Sequence, residues 1–288
     1  ERLKKGLVGS MLNVVSVQHT REAQRLIMEN SRLKIPLIFG YDVIHGYKTM
    51  FPVPLGETAS WDMILAEKTA AAAARETAAS GVHWTFAPMM DISRDARWGR
   101  IMEGSGEDPY LTSKLGEAFV KGLQGDNDKY LKTAAAAKHY AVHSGPEKLR
   151  HEFNADVSEK DLWETYLPAF KTLVDANVET IMCAYNSTNG EPCCANNRLI
   201  NDILRDKWGF NGHVVSDCWA LQDFVSGHDI VESPEAAAAL AVEVGIELNC
   251  GDTYNFLAKA VEDGLVSEEL VDKRLHKLLE TRFKLGLF

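Results

Sequence analysis

Short apolar runs alternate with helical segments along the whole chain of 288 residues. Several runs are apolar at every position instead of alternating with polar residues, which is typical of parallel strands covered by helices on both faces. The pattern predicts seven strands, over Val8–Val15, Pro36–Val43, Trp84–Asp91, Thr133–Ala141, Thr180–Asn186, Gly212–Cys218 and Val244–Cys250.

The segments between the strands carry signals that begin and end helices. Serines that can cap a helix N-terminus precede four predicted helices, at Ser60, Ser158, Ser233 and Ser267. The first of these helices is rich in alanine and stops at Gly81, and the second has Asp161 at the spacing of a capping box. Helices therefore separate the strands, as parallel pairing requires.

Seven strand–helix units in a chain of this length favour an α/β fold of the (β/α)8, TIM-like barrel type with one strand missing or degenerate. A doubly wound open sheet is the competing architecture. It normally carries a Gly-rich phosphate loop after its first strand, and the stretch SVQHTREAQ (16–24) has none. No low-complexity linker divides the chain, so residues 1–288 are predicted to form one domain.

Composition narrows the possible partners. The chain has 31 basic and 41 acidic residues, a net charge of −10, and no block of like charges. Nucleic acid and anionic membranes are therefore not expected as partners. The apolar runs are too short to span a membrane, and we expect no signal peptide in this chain. The five cysteines form no CxxC pair, so we expect reduced thiols, no bound metal and no cofactor.

Polar residues end six of the seven predicted strands. They are Asp42, Asp91, Lys138–His139, Tyr185–Asn186, Asp217 and Asn249–Asp252. The carboxyl ends of barrel strands meet at one rim, where barrel enzymes carry out their chemistry. The pattern therefore predicts a functional site at that rim.

Asp217 is the candidate reactive group. It ends the run HVVSD (213–217), with Trp219 two residues on as an aromatic face and Asp42 as a second acid. An ionised carboxylate among such neighbours suits attack on an oxocarbenium-like centre. A helix cap or a buried salt bridge is the alternative role for a strand-end aspartate.

Three further motifs surround this aspartate. Lys138 and His139 follow four alanines and are predicted hydrogen-bond donors to sugar hydroxyls, although His139 could be a core histidine. Arg100, in a charged loop, is predicted to present its guanidinium to the site. Met182 and Tyr185 could be core residues, or Tyr185 could hold Asp217 ionised.

Six stretches together resemble glycoside hydrolase family 3 and cover nearly the whole chain in family order. They are IPLIFGYDVIHG, RWGRIMEGSGEDPYL, AKHYAVHSGPE, ETIMCAYNSTNGEPCCAN, LRDKWGFNGHVVSD and RFKLGLF. The resemblance implies an exo-acting, retaining β-glucosidase or β-xylosidase with Asp217 as the nucleophile. Its substrate would be an oligosaccharide or an aryl or alkyl β-glycoside, and its location periplasmic or secreted. The implied sugar pocket comprises Asp42, Arg100, Lys138, His139, Met182 and Tyr185.

The chain departs from the family pattern in three ways. It ends where the family's barrel domain ends, whereas two-domain members continue into a second α/β domain that supplies the acid/base glutamate. The loop SGPEKLRHEF does not match the histidine-containing loop of the single-domain members. The family's opening helix and first strand are not found before Glu1. Only Glu103, Glu147 and Glu152 are left as acid candidates by position, so we expect weak turnover.

Other functions remain open. YDVIHG resembles the β-glucosidases, whereas AVHSGPEKLRHEF and VVSDC resemble the β-xylosidases, so a trimmed, recombined or engineered barrel is possible. One alternative is a non-catalytic sugar-binding barrel, and another is a lyase that forms a Schiff base on Lys138. Apolar surface left bare by a missing domain would favour a homodimer.

Overall fold

The structure, a computed structural model, describes residues 1–288 and is built on a curled, fully parallel sheet. Nine strands occur in chain order, β1 (Ser10–Leu12), β2 (Ile38–Tyr41), β3 (Trp84–Thr85), β4 (Ala134–Tyr140), β5 (Asn154–Ala155), β6 (Thr180–Cys183), β7 (Ser187–Thr188), β8 (Glu191–Pro192) and β9 (His213–Ser216). Six of them form the main sheet in the order β1-β2-β3-β4-β6-β9, and the other three form a small sheet beside it. The α/β, TIM-like fold is confirmed.

Helices cover the outside of the main sheet. The α-helices are α1 (Val17–Asn30), α2 (Pro54–Thr58), α3 (Met63–Ala79), α4 (Pro109–Gln124), α5 (Glu159–Asp161), α6 (Pro168–Asp175), α7 (Asp223–Ser226), α8 (Pro234–Val244), α9 (Leu257–Glu262) and α10 (Glu268–Lys284). Wider π-type turns occur over Leu162–Tyr166 and Arg198–Lys207, and 3₁₀ turns over Ile101–Glu103, Glu147–Leu149 and Thr253–Phe256. No helix has the length and apolar character needed to cross a bilayer.

The predicted helix starts are confirmed at three of the four serines. Ser158, Ser233 and Ser267 each accept a hydrogen bond from the backbone amide three residues later. At α3 the cap is Asp62 instead of Ser60, because the Asp62 carboxylate accepts the Leu65 amide at 2.9 Å.

The prediction of a seventh strand over Val244–Cys250 is wrong. Helix α8 runs through Val244, and Gly245 ends it in a left-handed conformation (φ 116°). These two residues therefore belong to the helix and its cap and not to the predicted strand. The Glu247 carboxylate accepts the Val214 amide at 2.6 Å, so a side chain replaces a ladder bond there. Only Leu248 pairs with β9, through a single bridge, and more than one barrel strand is therefore absent.

The interior of the barrel is filled with side chains below the rim. Ala134 and Ala136 point inward and Ala135 and Ala137 point outward, as the two-residue period of a strand requires. Their small size leaves room for larger inward-facing neighbours, which are Ile38, Trp84, Phe86, Met182 and Val215. Because this interior is packed, chemistry is confined to the rim.

The expectation that the cysteines are reduced is also wrong. Cys183 is bonded to Cys194 and Cys218 to Cys250, and only Cys193 is a free thiol. The bonded residues lie 11 and 32 positions apart in the chain, but folding brings their Cα atoms to 5.2 and 4.4 Å. These separations are within disulfide range, and no short-range sequence pattern announces them.

Candidate active site

Asp217 lies at the carboxyl end of β9, as predicted, and is 7% exposed. Its Oδ1 accepts the Cys218 amide at 2.8 Å, which anchors one oxygen of the carboxylate. Its Oδ2 is buried and has no well-aligned hydrogen-bond donor within the chain. One oxygen is therefore held by the backbone, while the other makes no hydrogen bond within the chain.

The charge state of Asp217 is set by opposing effects. Burial raises its pKa, and the charges of Lys138 and Arg100, the Cys218 amide and the Tyr185 hydroxyl lower it by smaller amounts. Tyr185 was expected to hold Asp217 ionised, and its hydroxyl does act in that direction, as do Lys138 and Arg100. Burial outweighs them, so the pKa stays above its ordinary value.

Lys138 and His139 both enter the site although they are consecutive in β4. The pairing register of β4 against β6 shifts between Ala137 and Tyr140, which breaks the alternation of faces at that point. The Lys138 ammonium is almost fully buried and lies 2.7 Å from Asp42 Oδ1, whose side chain is half exposed. The structure thus brings Asp42 and Lys138 together as a charged pair at the mouth of the site.

His139 bridges two carboxyl groups. The Asp91 Oδ2 accepts the His139 amide at 3.0 Å and lies 2.9 Å from its Nδ1. The other ring nitrogen, Nε2, lies 3.2 Å from Asp217 Oδ2 and 3.2 Å from Arg100 Nη1. Burial lowers the pKa of His139 well below its ordinary value, so the ring is neutral.

Asp91 is a site residue that the predicted pocket omitted. It was predicted only as one of the strand-end residues at the rim, and the pairing of neighbouring strands, where Met89 bridges to Lys138, brings it to His139. Its carboxyl group is completely buried, and burial raises its pKa to about 7. Asp91 therefore orients the His139 ring from behind the pocket.

Arg100 contributes less of its guanidinium to the site than predicted. Its Nε and Nη2 bind both oxygens of Glu103 at 2.9 Å, and only Nη1 reaches toward His139. The bidentate pair fixes the guanidinium plane, which is the geometry that gives arginine its directional recognition.

The remaining predicted residues occupy different depths. Tyr185 is buried against Asp217 at the rim. Met182 lies deeper, among the inward-facing core residues of the barrel. Trp219 is 54% exposed beside the Cys218–Cys250 disulfide, and its amide donates to the Cys250 carbonyl at 2.6 Å. Substrate contacts of these three residues remain predictions.

The loop that follows β4, residues 141–153, contains two residues that pack against Tyr185 and were not among the predicted site residues. Arg150 lies over the Tyr185 ring, at 5.5 Å from its centroid, and the His151 ring lies 4.5 Å from it. His151 Nδ1 is 2.7 Å from Asp223 Oδ2. The only signal for these contacts was the unmatched stretch SGPEKLRHEF.

None of the three candidate glutamates has the environment of a protonated general acid. Glu103 is bound to both donors of the Arg100 fork. The neighbouring Arg150 and Arg100 hold the pKa of Glu147 below its usual range, so this carboxylate is ionised. Glu152 is exposed to solvent. A catalytic acid must remain protonated at working pH, usually through burial, and no candidate meets that requirement.

These features define the class of protein as a TIM-like barrel with a carboxylate-centred site at its carboxyl rim. The chain belongs to glycosyl hydrolase family 3, because the model of that family's N terminal domain matches residues 1–281. The resemblance found in the sequence is thereby confirmed.

Individual relatives agree with this assignment. The chain is 38% identical to a periplasmic β-glucosidase of Salmonella typhimurium, over 100% of this chain and 38% of that protein. It is 46% identical to a xylan 1,4-β-xylosidase of Xylanibacter ruminicola, over 88% of this chain and 33% of that protein. The crystal structure of a β-glucosidase from Listeria innocua in complex with glucose matches with a TM-score of 0.91, at 36% identity, over 97% of this chain and 39% of that one. The chain thus spans only 33–39% of the length of these relatives.

Proposed function

We propose that this chain is the barrel of a retaining β-glycosidase that removes terminal β-D-glucosyl or β-D-xylosyl units through a covalent intermediate on Asp217. The observation that carries the proposal is the Asp217 carboxylate itself, with one oxygen anchored by a backbone amide and the other buried without an aligned donor. A nucleophile needs this combination of fixed orientation and one free lone pair.

The proposed reaction has two steps. In the first, Asp217 Oδ2 forms an ester bond to the anomeric carbon while the glycosidic C–O bond breaks and its electron pair leaves with the aglycone oxygen. In the second, water adds to the anomeric carbon, loses a proton and releases the carboxylate, with net retention of configuration. Lys138 and Asp42 offer a donor and an acceptor to sugar hydroxyls, and neutral His139 and the Arg100 Nη1 line the same side.

The barrel alone is proposed to turn over slowly, because it lacks an evident general acid. General acid–base assistance is typically worth about 10²–10⁴-fold in rate. We infer that this group is supplied by a second domain, in keeping with the greater length of the relatives. The rate of hydrolysis should therefore depend strongly on the aglycone, since a good leaving group departs without protonation.

The proposed partner is an oligosaccharide or an aryl or alkyl β-glycoside, and no cofactor is involved. The Salmonella relative is a periplasmic β-glucosidase. We extend this to a proposed periplasmic or secreted location for the protein that contains this chain.

Hydrolysis of 2,4-dinitrophenyl β-glucoside and β-xyloside by the wild type and by Asp217→Asn tests the proposal. The wild type should release dinitrophenol and form the β-anomer first by proton NMR. The variant should be slower by at least about 10³-fold, because the nucleophile is lost. Full activity in Asp217→Asn would refute the assignment.

Binding without chemistry is the second candidate, and it is favoured because Glu103, Glu147 and Glu152 all lack the burial of a protonated general acid. Calorimetric binding of glucose or xylose with no dinitrophenol release by the folded wild type would support it. The geometry disfavours the lyase alternative, because Lys138 Nζ is buried and engaged by Asp42 Oδ1 at 2.7 Å.

A further inference from the structure

Two neighbouring residues of the loop 141–153 pack against the ring of Tyr185. The Arg150 guanidinium lies 5.5 Å from the centroid of the ring, within the range of a cation–π contact. The His151 ring lies 4.5 Å from the same centroid, at an interplanar angle of 60°. We call Arg150 and His151 the Tyr185 clamp.

The clamp is itself anchored on two separate parts of the structure. Arg150 Nη1 donates to Glu147 Oε1 at 2.7 Å. His151 Nδ1 lies 2.7 Å from Asp223 Oδ2 on α7, and Arg150 Nε donates to His151 Nε2 at 3.2 Å. Both nitrogens of the His151 ring are therefore engaged, so this imidazole holds neighbouring groups and is not arranged to deliver a proton to a substrate.

The backbone of Tyr185 is fixed as well. Its carbonyl oxygen lies 2.8 Å from His228 Nε2. With both its ring and its main chain held, the remaining freedom of Tyr185 is small, and its hydroxyl stays near the Asp217 carboxylate, whose pKa it lowers. Removal of the clamp would let the ring adopt other side-chain rotamers and move the hydroxyl away.

We infer that Arg150 and His151 are positioning residues, which act on the reactivity of Asp217 through Tyr185 and do not contact the sugar. This inference rests on the proposed function, since it assigns a role in the same nucleophilic step. It also explains why a charged and aromatic loop segment covers a tyrosine that is not part of the packed barrel interior.

A double-mutant cycle tests the inference. The variants are Arg150→Met, Tyr185→Phe and their combination, with Arg150→Lys as the conservative variant. Lys148→Met is the matched control, because it removes an exposed positive charge from the same turn. The readouts are the limiting rate constant and the half-saturation concentration for covalent inactivation by 2,4-dinitrophenyl 2-deoxy-2-fluoro-β-glycosides.

Arg150→Met should lower the limiting rate constant about tenfold and leave the half-saturation concentration unchanged. In the Tyr185→Phe background, the same substitution should lower the limiting rate constant by less than about a further twofold. Arg150→Lys should recover most of the rate, because it restores a cation over the ring, and Lys148→Met should match the wild type. An equal loss in both backgrounds, or a change confined to half-saturation, would overturn the inference. If Arg150→Met does not fold, Asp223→Asn frees His151 and should show the same dependence on Tyr185.

Crystal structures of Arg150→Met and Lys148→Met provide a readout that does not need activity. The Tyr185 hydroxyl should leave Asp217 only in the first, and an unmoved Tyr185 would overturn the inference. If the wild type takes no label but Tyr185 moves in Arg150→Met, the proposed function fails while the positioning role stands.

Discussion

Replacing Asp91 by asparagine should make the stability of the barrel less dependent on pH. Asp91 is completely buried behind His139, and burial raises its pKa from 3.8 to about 7. Below both values the carboxyl group is protonated in the folded and unfolded chains, and its stabilising effect is fully present. As the pH rises toward 7, the unfolded chain has already lost this proton while the folded chain still holds it, so the free energy of unfolding falls.

The magnitude follows from the size of the shift. A difference of about three pKa units corresponds to about 4 kcal/mol at 1.36 kcal/mol per unit. About two pH units separate pH 5 from the folded-state pKa of Asp91. The free energy of unfolding of the wild type should therefore fall by about 3 kcal/mol between pH 5 and pH 8. Asparagine at position 91 cannot titrate, so the variant should gain this amount relative to the wild type over that interval.

Urea unfolding followed by tryptophan fluorescence at the two pH values measures the effect. Asp128→Asn serves as the control, since this exposed carboxylate makes no side-chain contact and its replacement should leave the pH dependence unchanged. A difference between Asp91→Asn and wild type that stays constant from pH 5 to pH 8 would refute the reasoning about Asp91.

Three further predictions concern other parts of the molecule. Lys138→Met should slow covalent labelling by at least about 10²-fold, because it removes the buried ammonium that pairs with Asp42 and lowers the pKa of Asp217. Labelling within threefold of the wild type would contradict this. Mild reduction followed by alkylation and peptide mapping should modify the partly exposed Cys218 before the buried Cys183. Modification of Cys183 before Cys218 would contradict this prediction. Loss of the Cys218–Cys250 disulfide, whose cysteines are 32 residues apart, should lower the free energy of unfolding in urea by roughly 4 kcal/mol. The exposed side chains of Trp61 and Ile64 should promote dimerisation. In sedimentation, the double variant Trp61→Ser/Ile64→Ser should be a monomer. A wild type that is monomeric at high concentration would contradict this prediction.

The sequence was sufficient to place the reactive residues at one rim. Asp42, Lys138, His139 and Asp217 are each predicted to end a strand, and parallel strands in a barrel present those ends together. The structure accordingly pairs Lys138 with Asp42 and brings His139 to 3.2 Å from Asp217. Periodicity and strand order alone determine this part of the site.

Contacts made by loop residues could not be predicted in the same way. His151 and Asp223 are 72 residues apart, in a loop and a short helix outside the sheet. Their meeting depends on loop conformation, which no local period encodes. The prediction of a seventh strand over Val244–Cys250 failed because helix α8 runs through Val244 and the Glu247 carboxylate accepts the Val214 amide, which leaves only a single bridge at Leu248.

Covalent trapping tests the central claim most directly. The folded wild type is incubated with 2,4-dinitrophenyl 2-deoxy-2-fluoro-β-glucoside or the xyloside, and intact mass and peptide mapping follow. This leaving group needs no protonation, so the experiment isolates the nucleophile from the acid/base group. We predict one added fluorosugar on Asp217, with the faster reagent identifying the preferred sugar. An unmodified mass, or a label on any other residue, would contradict the proposal that Asp217 is the nucleophile of this barrel.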